Sequence, residues 1–532
     1  MSKTDQSFII RTAGFLMVVN VLSRVLGYVR DVVMMNIFGQ SMVTDAYNAA
    51  FSIPDTLYQI LIGGAMSSAF IPVFASYLAN KKEEQAWRVS SVFTSWILLL
   101  MVIGIGISFV FTRPLMSLLT DFDTAQGMAL TVTLTRMMLI QALLMAMSAI
   151  AMAILHANQH FFWPAIGSFL YNVIIVVFGA ALAGPIESRW PGYGIAGFSL
   201  GVLVGAALFF LVQVPALKKV GFRFSFSLDT HNPGLHRMVA LMIPALIGLS
   251  VSQINLLVTQ KLATGLTDGV YTALRMANRF MQLPIGVFAV AIAVSFFPTL
   301  TRLAAVKEMG EYKRSLSLAI RSVAFILLPS AVGLAVLREP IIRLLFEYSQ
   351  SFSAANTTLT GQALLFYCIG LVGYGIVQVI LRGFYAIQNT VTPVMISVSC
   401  IALNILFSIL LIGHWQHIGL AFANSLAGLI QAALLFLFLR LKIGPMDMRR
   451  ICLSFLKTGA ACVLMGLAAW QTSRLLEGLM GTAGKMQQAL SLGGSIAVAM
   501  AVFFVAASLM KMEECALVLN LLKGKLKRKK LS

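Results

Sequence analysis

Apolar residues run along this chain in long blocks separated by short polar connections. Fourteen blocks can be marked, at approximately 8–38, 43–79, 88–112, 127–156, 160–184, 192–217, 235–263, 268–303, 314–337, 357–387, 390–413, 417–441, 449–472 and 488–511. An α-helix needs about 20 apolar residues to cross the hydrocarbon core, so each block predicts a membrane span. Barrel strands would instead show segments of about 10 alternating residues. Several blocks are longer than a crossing requires, which predicts tilted, bent or extended helices. The composition agrees: 59% of the 532 residues are hydrophobic and 11% charged, with a mean hydropathy of +0.88. The expected class is an all-α polytopic membrane protein of about 14 transmembrane helices. The polar start "MSKTDQSF" leads into the first block with no small-residue cleavage site before it, so no cleaved leader is expected.

A formal charge of +20 could signal nucleic acid, but the cations follow the spans. With the N-terminus in the cytoplasm, the inward connections hold Lys81, Lys82 and Arg88; Lys218, Lys219 and Arg223; Arg302, Lys307, Lys313 and Arg314; and Lys442, Arg449 and Arg450. The tail "KGKLKRKK" also falls inside. Outward connections carry only Arg113, Arg189, Lys261, Arg338, Arg343, Arg474 and Lys485. Cytoplasmic loops are the ones enriched in Lys and Arg. The charge is therefore read as topology, with both termini cytoplasmic, no nucleic-acid partner, and a basic tail able to touch anionic lipid.

The chain also repeats itself. "SAFIPVFASYLANKKEEQAWR" (68–88) resembles "VSFFPTLTRLAAVKEMGEYKR" (294–314), aligning Pro72 with Pro298 at an offset of 226. "HANQHFFWP" and "YAIQNTVTP" align Gln159 with Gln388 and Pro164 with Pro393 at 229, and "GIAGF" and "GLAFA" align at 225. These anchors predict two pseudo-twofold-related six-helix lobes, 1–220 and 221–445, followed by two C-terminal helices in 446–512 and a basic tail, 513–532. Parallel repeats of this kind are a transporter architecture, with alternating access by rocking of one lobe against the other.

Charges inside the spans are the candidate chemistry. Each costs roughly 2.5–3.5 kcal/mol at a bilayer centre on insertion scales. The first span holds Arg24, Arg30 and Asp31, with Gly27 between them. Arg24 and Asp31 share a face, whereas Arg30 points about 100° from Asp31. The second span adds Asp45, Asn48 and Asp55 with a kink expected at Pro54, and the eighth carries Arg275 and Arg279 four apart with Pro284 just after. Two readings stand. Arg30, Asp31 and Asp45 could serve only to clamp helices, and Arg136, Arg275 and Arg382 could snorkel to an interface. Alternatively, Arg24 and Arg279, from corresponding parts of the two halves, outnumber the nearby acids and await an anionic ligand, for which guanidinium forks suit phosphate oxygens. Gly27, Pro54 and Pro284 are the hinge candidates.

Little else carries chemistry. HExxH, Walker A and nucleophile-elbow motifs are absent from the sequence, so a transporter is expected, not an enzyme. Five cysteines lack metal-ligand spacing and read as core residues. His414 and His417 form only a weak pair in a short outer loop, so no metal site and no cofactor are expected. Gly201 and Gly205 suggest close helix packing.

The stretches "SRVLGYVRD" (23–31), "TDAYNAAFSIPDTL" (44–57), "AFIPVFASY" (69–77), "ANRFMQLPIGVFAVAI" (277–292) and "RGFYAIQNTVTP" (382–393) resemble the MurJ/MviN family of lipid II flippases, within the multidrug/oligosaccharidyl-lipid/polysaccharide exporter superfamily. The resemblance covers almost the whole chain. It implies a cationic central cavity, a lipid-tail groove along the last two helices, and a bacterial inner-membrane flippase for peptidoglycan synthesis. Its cargo would be the undecaprenyl-pyrophosphate-linked disaccharide pentapeptide, with membrane lipids and cell-wall synthases as partners. Arg24, Arg30 and Arg279 match the family's cavity arginines, and Asp31 and Asp45 its acids. Tyr58, Gln59, Gly63 and Gln282 stand where many relatives carry charges, and Ser408 where some carry a sodium-binding carboxylate near Asn404. Sodium coupling is therefore not carried over, and coupling to the membrane potential or a monovalent ion stays open. Rival readings are another exporter of the superfamily, for a drug or a polyprenyl-linked polysaccharide, and a non-transporting cell-wall scaffold.

Overall fold

The computed structural model describes residues 3–63, 66–348, 351–482 and 484–515, with the side chains of 3–17, 20, 67, 244, 245 and 247 left outside the description. Most of the basic tail, from 516 on, lies outside these residues. Among those described there is no strand, as hydrocarbon demands of a chain that must satisfy its own backbone. Among the described residues eleven helices are long and apolar enough to span a membrane, or twelve if the pair Pro233–Ile243 and Gly248–Thr264, bent by 48°, counts as one crossing. The first helix, Lys3–Phe38, is not counted in that set, most of the side chains of its first half lying outside the described residues.

A second departure from the expected fourteen lies in Val391–Ile443, which covers both the 390–413 and the 417–441 blocks in one helical run. A straight helix of 53 residues would be about 80 Å long. The run instead breaks at Gln416, whose φ is +46° and ψ −127°. Gln431 donates from Nε2 to Ser397 Oγ at 2.9 Å across 34 residues, a contact possible only if the two arms fold back on each other. The two blocks are thus the antiparallel arms of a hairpin.

Contacts divide the chain into two compact units, Met1–Thr272 and Ala273–Ser532. The first has a core around Phe70, Phe74, Phe93 and Ile154, and the second a core around Phe325, Met465 and Phe503. The helix Pro233–Thr264, assigned from the sequence to the second lobe, groups with the first unit. Its last turn holds it there: Gln260 Nε2 donates to the Leu119 carbonyl (3.2 Å) and Lys261 Nζ to the Thr120 carbonyl (2.6 Å).

The internal repeat is visible in the backbone itself. Lys81 and Lys307, 226 apart, are both left-handed, with φ of +57° and +60°. Gln159 and Gln388, 229 apart, have φ of +63° and +59°. Each closes a helix in the same way: the Lys82 amide donates to the Tyr77 carbonyl and that of Glu308 to Leu303; the His160 amide donates to Leu155 and that of Asn389 to Phe384. These are six-to-one closures of Schellman type, here made without glycine. The two broken spans also correspond. A π-helical stretch, Gln59–Gly63, interrupts the second span, and another, Ile285–Ala289, follows Pro284, again 226 residues on.

Small residues set the tightest packing. A Cβ on Gly201 would lie 2.9 Å from Ile175 Cα, and one on Gly205 3.0 Å from the Tyr171 carbonyl, so Ala196–Lys219 lies directly on Phe162–Arg189. Four of the five cysteines are buried, whereas Cys452 is exposed. Gly201→Val is expected to lower the unfolding midpoint of purified protein in detergent, at a cost of about 1–3 kcal/mol for overpacking. Gly106→Val, where a Cβ meets nothing within 4 Å, should leave it unchanged. Equal midpoints for the two variants would refute this packing.

Candidate functional site

The first helix is fastened through its small and polar residues. Asn172 Nδ2 donates to Ser23 Oγ at 3.1 Å, and the Ser23 and Ser168 hydroxyls lie 3.3 Å apart. Gly27, one turn along, lies beside Asn172, whose Oδ1 would be 4.0 Å from a Cβ there. That is ordinary contact, and the helix runs unbroken through Gly27 to Phe38. It stops at Gly39, whose φ of +65° ends the coil. The Ser41 amide then donates to Thr44 Oγ1 at 3.0 Å and opens the next helix, Met42–Ala50.

Arg24 is exposed on this helix and forms no ion pair among the described residues. Arg30 behaves differently from the helical-wheel expectation. Its Nε and Nη2 donate to Asp31 Oδ1 at 3.1 and 3.0 Å. The 100° between the two Cβ directions is overcome by the reach of the arginine side chain. The pair is well shielded, with side-chain exposures of 17% and 11%. Asp31 thus holds Arg30, its neighbour in sequence.

Asp45 sits in Met42–Ala50 and is 2% exposed. Its Oδ2 accepts the Gly269 amide and its Oδ1 the Thr272 amide, both at 2.8 Å. These amides belong to the start of the helix Val270–Pro284, where N–H groups lack partners inside the helix and favour negative charge. Asp45 is therefore a cap supplied from more than 200 residues away. Asn48 supports it, donating to Thr272 Oγ1 at 2.9 Å. The same helix carries Arg275 and Arg279, both partly buried. It ends at Pro284, where the π-helical stretch begins. In the second span the chain breaks at Phe51, three residues before Pro54. A proline cannot donate back along a helix, and each of the two lies beside an interruption of the regular α-helical pattern.

Other intramembrane cations have plain environments. Arg136 stands 5.2 Å from the Phe109 ring centre and Arg382 5.5 Å from that of Phe297, consistent with cation–π anchoring. His414 is exposed and His417 buried at the turn of the 391–443 hairpin. Among the described residues no group of three or more His, Cys, Asp or Glu could hold a metal. Asn404 and Ser408, four apart, are both buried.

The sequence reading passed over a second polar cluster in the first unit. Lys261 Nζ bonds the Ser117 and Thr120 carbonyls and the Asp121 carboxylate at 3.1, 2.6 and 3.0 Å. Gln260 donates to Ser52 Oγ at 3.3 Å and accepts from the Tyr271 hydroxyl at 3.1 Å. These contacts tie Pro233–Thr264 to the short helix Thr112–Leu119 and to the broken second span. A lysine followed by Thr264 at the polar end of an apolar run was the only hint in sequence.

Comparisons with known proteins agree along nearly the whole chain. The family profile described as lipid II flippase MurJ matches residues 34–487. A protein of Burkholderia cenocepacia named lipid II flippase MurJ is 32% identical over 461 residues, covering 84% of this chain and 87% of that one. One of Vibrio cholerae named probable lipid II flippase MurJ is 30% identical, covering 90% and 92%. A solved structure, lipid II flippase MurJ in an inward closed conformation, superposes with a TM-score of 0.77 at 26% identity, covering 93% and 98%. An inward-facing multidrug-resistance transporter of the MATE family shares the fold alone, with a TM-score of 0.65 at 14% identity, covering 79% and 94%.

Asp45→Ala should destabilise the protein by roughly 1–3 kcal/mol for each buried amide left unpaired. Asp45→Asn, which keeps one acceptor oxygen, should fall between it and the wild type in thermal midpoint. An alanine variant as stable as the wild type would contradict the capping role. Gly27→Ala should fold as well as the wild type or better, since alanine favours helix over glycine by about 1 kcal/mol. A lower midpoint would show a contact that the geometry lacks.

Proposed function

The chain belongs to the MurJ family, and we propose that it is a lipid II flippase, moving the undecaprenyl-pyrophosphate-linked peptidoglycan precursor from the inner to the outer leaflet of the bacterial cytoplasmic membrane. The observation that carries this reading is Arg24. It is a permanently charged side chain in a membrane helix, exposed and without an ion pair among the described residues, in a chain of that family. A pyrophosphate supplies the missing negative charge in the planar, forked geometry that guanidinium favours.

Arg24, Arg30 and Arg279 grip the pyrophosphate, with Arg275 as an auxiliary cation on the Arg279 face. Asp31 competes with the pyrophosphate for Arg30, which keeps release possible. Asp45 contributes by holding the first turn of the helix that bears Arg275 and Arg279. The polyprenyl tail stays in lipid along the last two helices, and the Pro54 and Pro284 breaks absorb the change between inward and outward access. Both termini face the cytoplasm, by the distribution of Lys and Arg in the connections. Product delivered outside serves the synthases that polymerise it.

An inside-negative potential drives an anion outward and draws the emptied cationic site back, each full charge being worth about 2.3 kcal/mol per 100 mV. No cofactor is invoked. A drug or cation exporter would call for acidic or neutral groups in place of unpaired arginine.

In a bacterium depleted of its own flippase, the wild-type chain should restore growth and prevent lipid II accumulation. Arg24→Ala should do neither at equal protein level, and Arg24→Lys, which keeps the charge but not the fork, should rescue partially. Full growth of the alanine variant would overturn the role of Arg24. In reconstituted vesicles, translocation should speed up under an imposed inside-negative potential, and equal rates with and without it would rule out this coupling.

A further inference from the structure

The second unit contains a cavity of about 750 Å³ that the flippase reading does not use. It opens at the cation-rich end of the unit, where the helices Met309–Val336 and Met448–Met480 begin. By the charge rule this end is cytoplasmic. Its lining runs from the exposed Glu311 to the buried Arg321, ten residues or about 15 Å along the helix Met309–Val336. Both helices present N-terminal turns, where free amides and the helix dipole favour an anion.

The charges are arranged to exchange partners. At the bottom lies Arg321, whose side chain is 9% exposed. Its Nη1 donates to Glu514 Oε1 at 2.9 Å and also to Glu513 Oε2 at 3.0 Å. Glu514 is 3% exposed and receives a further bond from the Ser454 hydroxyl at 2.9 Å. That pair is complete without Glu513, which is 65% exposed and costs little to release. Arg321 Nε is buried and has no hydrogen-bond partner among the described residues.

Nearer the mouth, Arg314 and Arg450 make only exposed pairs within their own helices, with Glu311 and Asp447 at 2.6 and 3.1 Å. Such pairs contribute little and yield readily. Lys313 has no carboxylate partner among the described residues. It lies against the turn at Gly444, where the φ of +86° and the lack of a Cβ leave room for its Nζ. Four cations thus line one cavity, the deepest of them holding one carboxylate more than it needs.

We propose that this cavity binds a phosphate group, which takes the place of Glu513 on Arg321 and is held by Lys313 and Arg450. The chemistry is shared by an anionic phospholipid headgroup entering from the inner leaflet and by free phosphate from the cytoplasm. Bound phosphate frees Glu513, while Glu514 keeps its place on Arg321 and Ser454.

The test uses full-length protein in detergent, titrated with short-chain dihexanoyl phosphatidylglycerol or with inorganic phosphate. Potassium chloride at matched ionic strength is the control, and the unfolding midpoint and binding curve are the readouts. At least one probe should raise the midpoint of the wild type and of Lys313→Arg beyond the chloride control. The double variant Lys313→Ala/Arg450→Ala should bind at least about tenfold more weakly, having lost two charge-assisted contacts. Glu513→Gln should bind more tightly, an effect that a purely structural role for Glu513 would not give. A response to the lipid alone identifies the headgroup as the source, and a response to inorganic phosphate shows that the free anion suffices. No shift with either probe, equal binding by the double variant, or weaker binding by Glu513→Gln would overturn the proposal. None of these readouts depends on lipid II transport, so the flippase reading and this site can fail separately.

Discussion

The carboxylate of Asp45, 2% exposed and bonded to the amides of Gly269 and Thr272, shows the constraint under which the rest of this molecule is built. Hydrocarbon supplies no hydrogen bonds, so every amide, carbonyl and charge must find its partner within the chain or in a ligand. Helices answer this for most of the backbone. Where a helix begins inside the protein, a side chain from a distant segment answers it, as Asp45 does for Val270–Pro284. Where a charge is retained, it is paired, as Arg30 is by Asp31, or laid against a ring, as Arg136 is on Phe109. Arg24 is the exposed cation that the described part of the first helix leaves without an ion pair, and the proposed function assigns it an anionic cargo.

The same constraint shapes the breaks. Proline and π-helical turns leave backbone groups short of partners, so they persist where motion or a cavity gives a return. π-Helical stretches at Gln59–Gly63 and Ile285–Ala289 stand in matching places of the two halves, and a third, Met66–Phe70, lies in the first half. The left-handed residues Lys81 and Lys307, and Gln159 and Gln388, repeat with the same spacings. Left-handed non-glycine residues are uncommon, so their recurrence records a duplication that kept its turn geometry while most of the side chains changed.

The spans and the repeat were legible because both are periodic. Long apolar blocks can form little but helices in a membrane, and the offsets of 226 and 229 survive as positions even where residues differ. What was not legible depended on tertiary contact or side-chain reach. Helical phase separates Arg30 from Asp31, yet the long guanidinium bends back to its neighbour. Nothing near Asp45 in sequence says that it caps a helix starting at residue 270. The siding of Pro233–Thr264 with the first unit rests on Gln260 and Lys261, whose partners lie about 140 residues earlier. The charges around Arg321 were read as topology, because composition does not distinguish a loop cation from one lining a cavity.

The central claim is that this chain carries a lipid pyrophosphate across the bilayer. It is tested most directly by reconstituting the purified protein into vesicles containing fluorescent lipid II and following its loss from the donor leaflet with a membrane-impermeant quencher. The account predicts protein-dependent exchange of lipid II that an excess of unlabelled lipid II suppresses. Exchange no faster than in protein-free vesicles, with the protein shown to be folded and inserted, would contradict it.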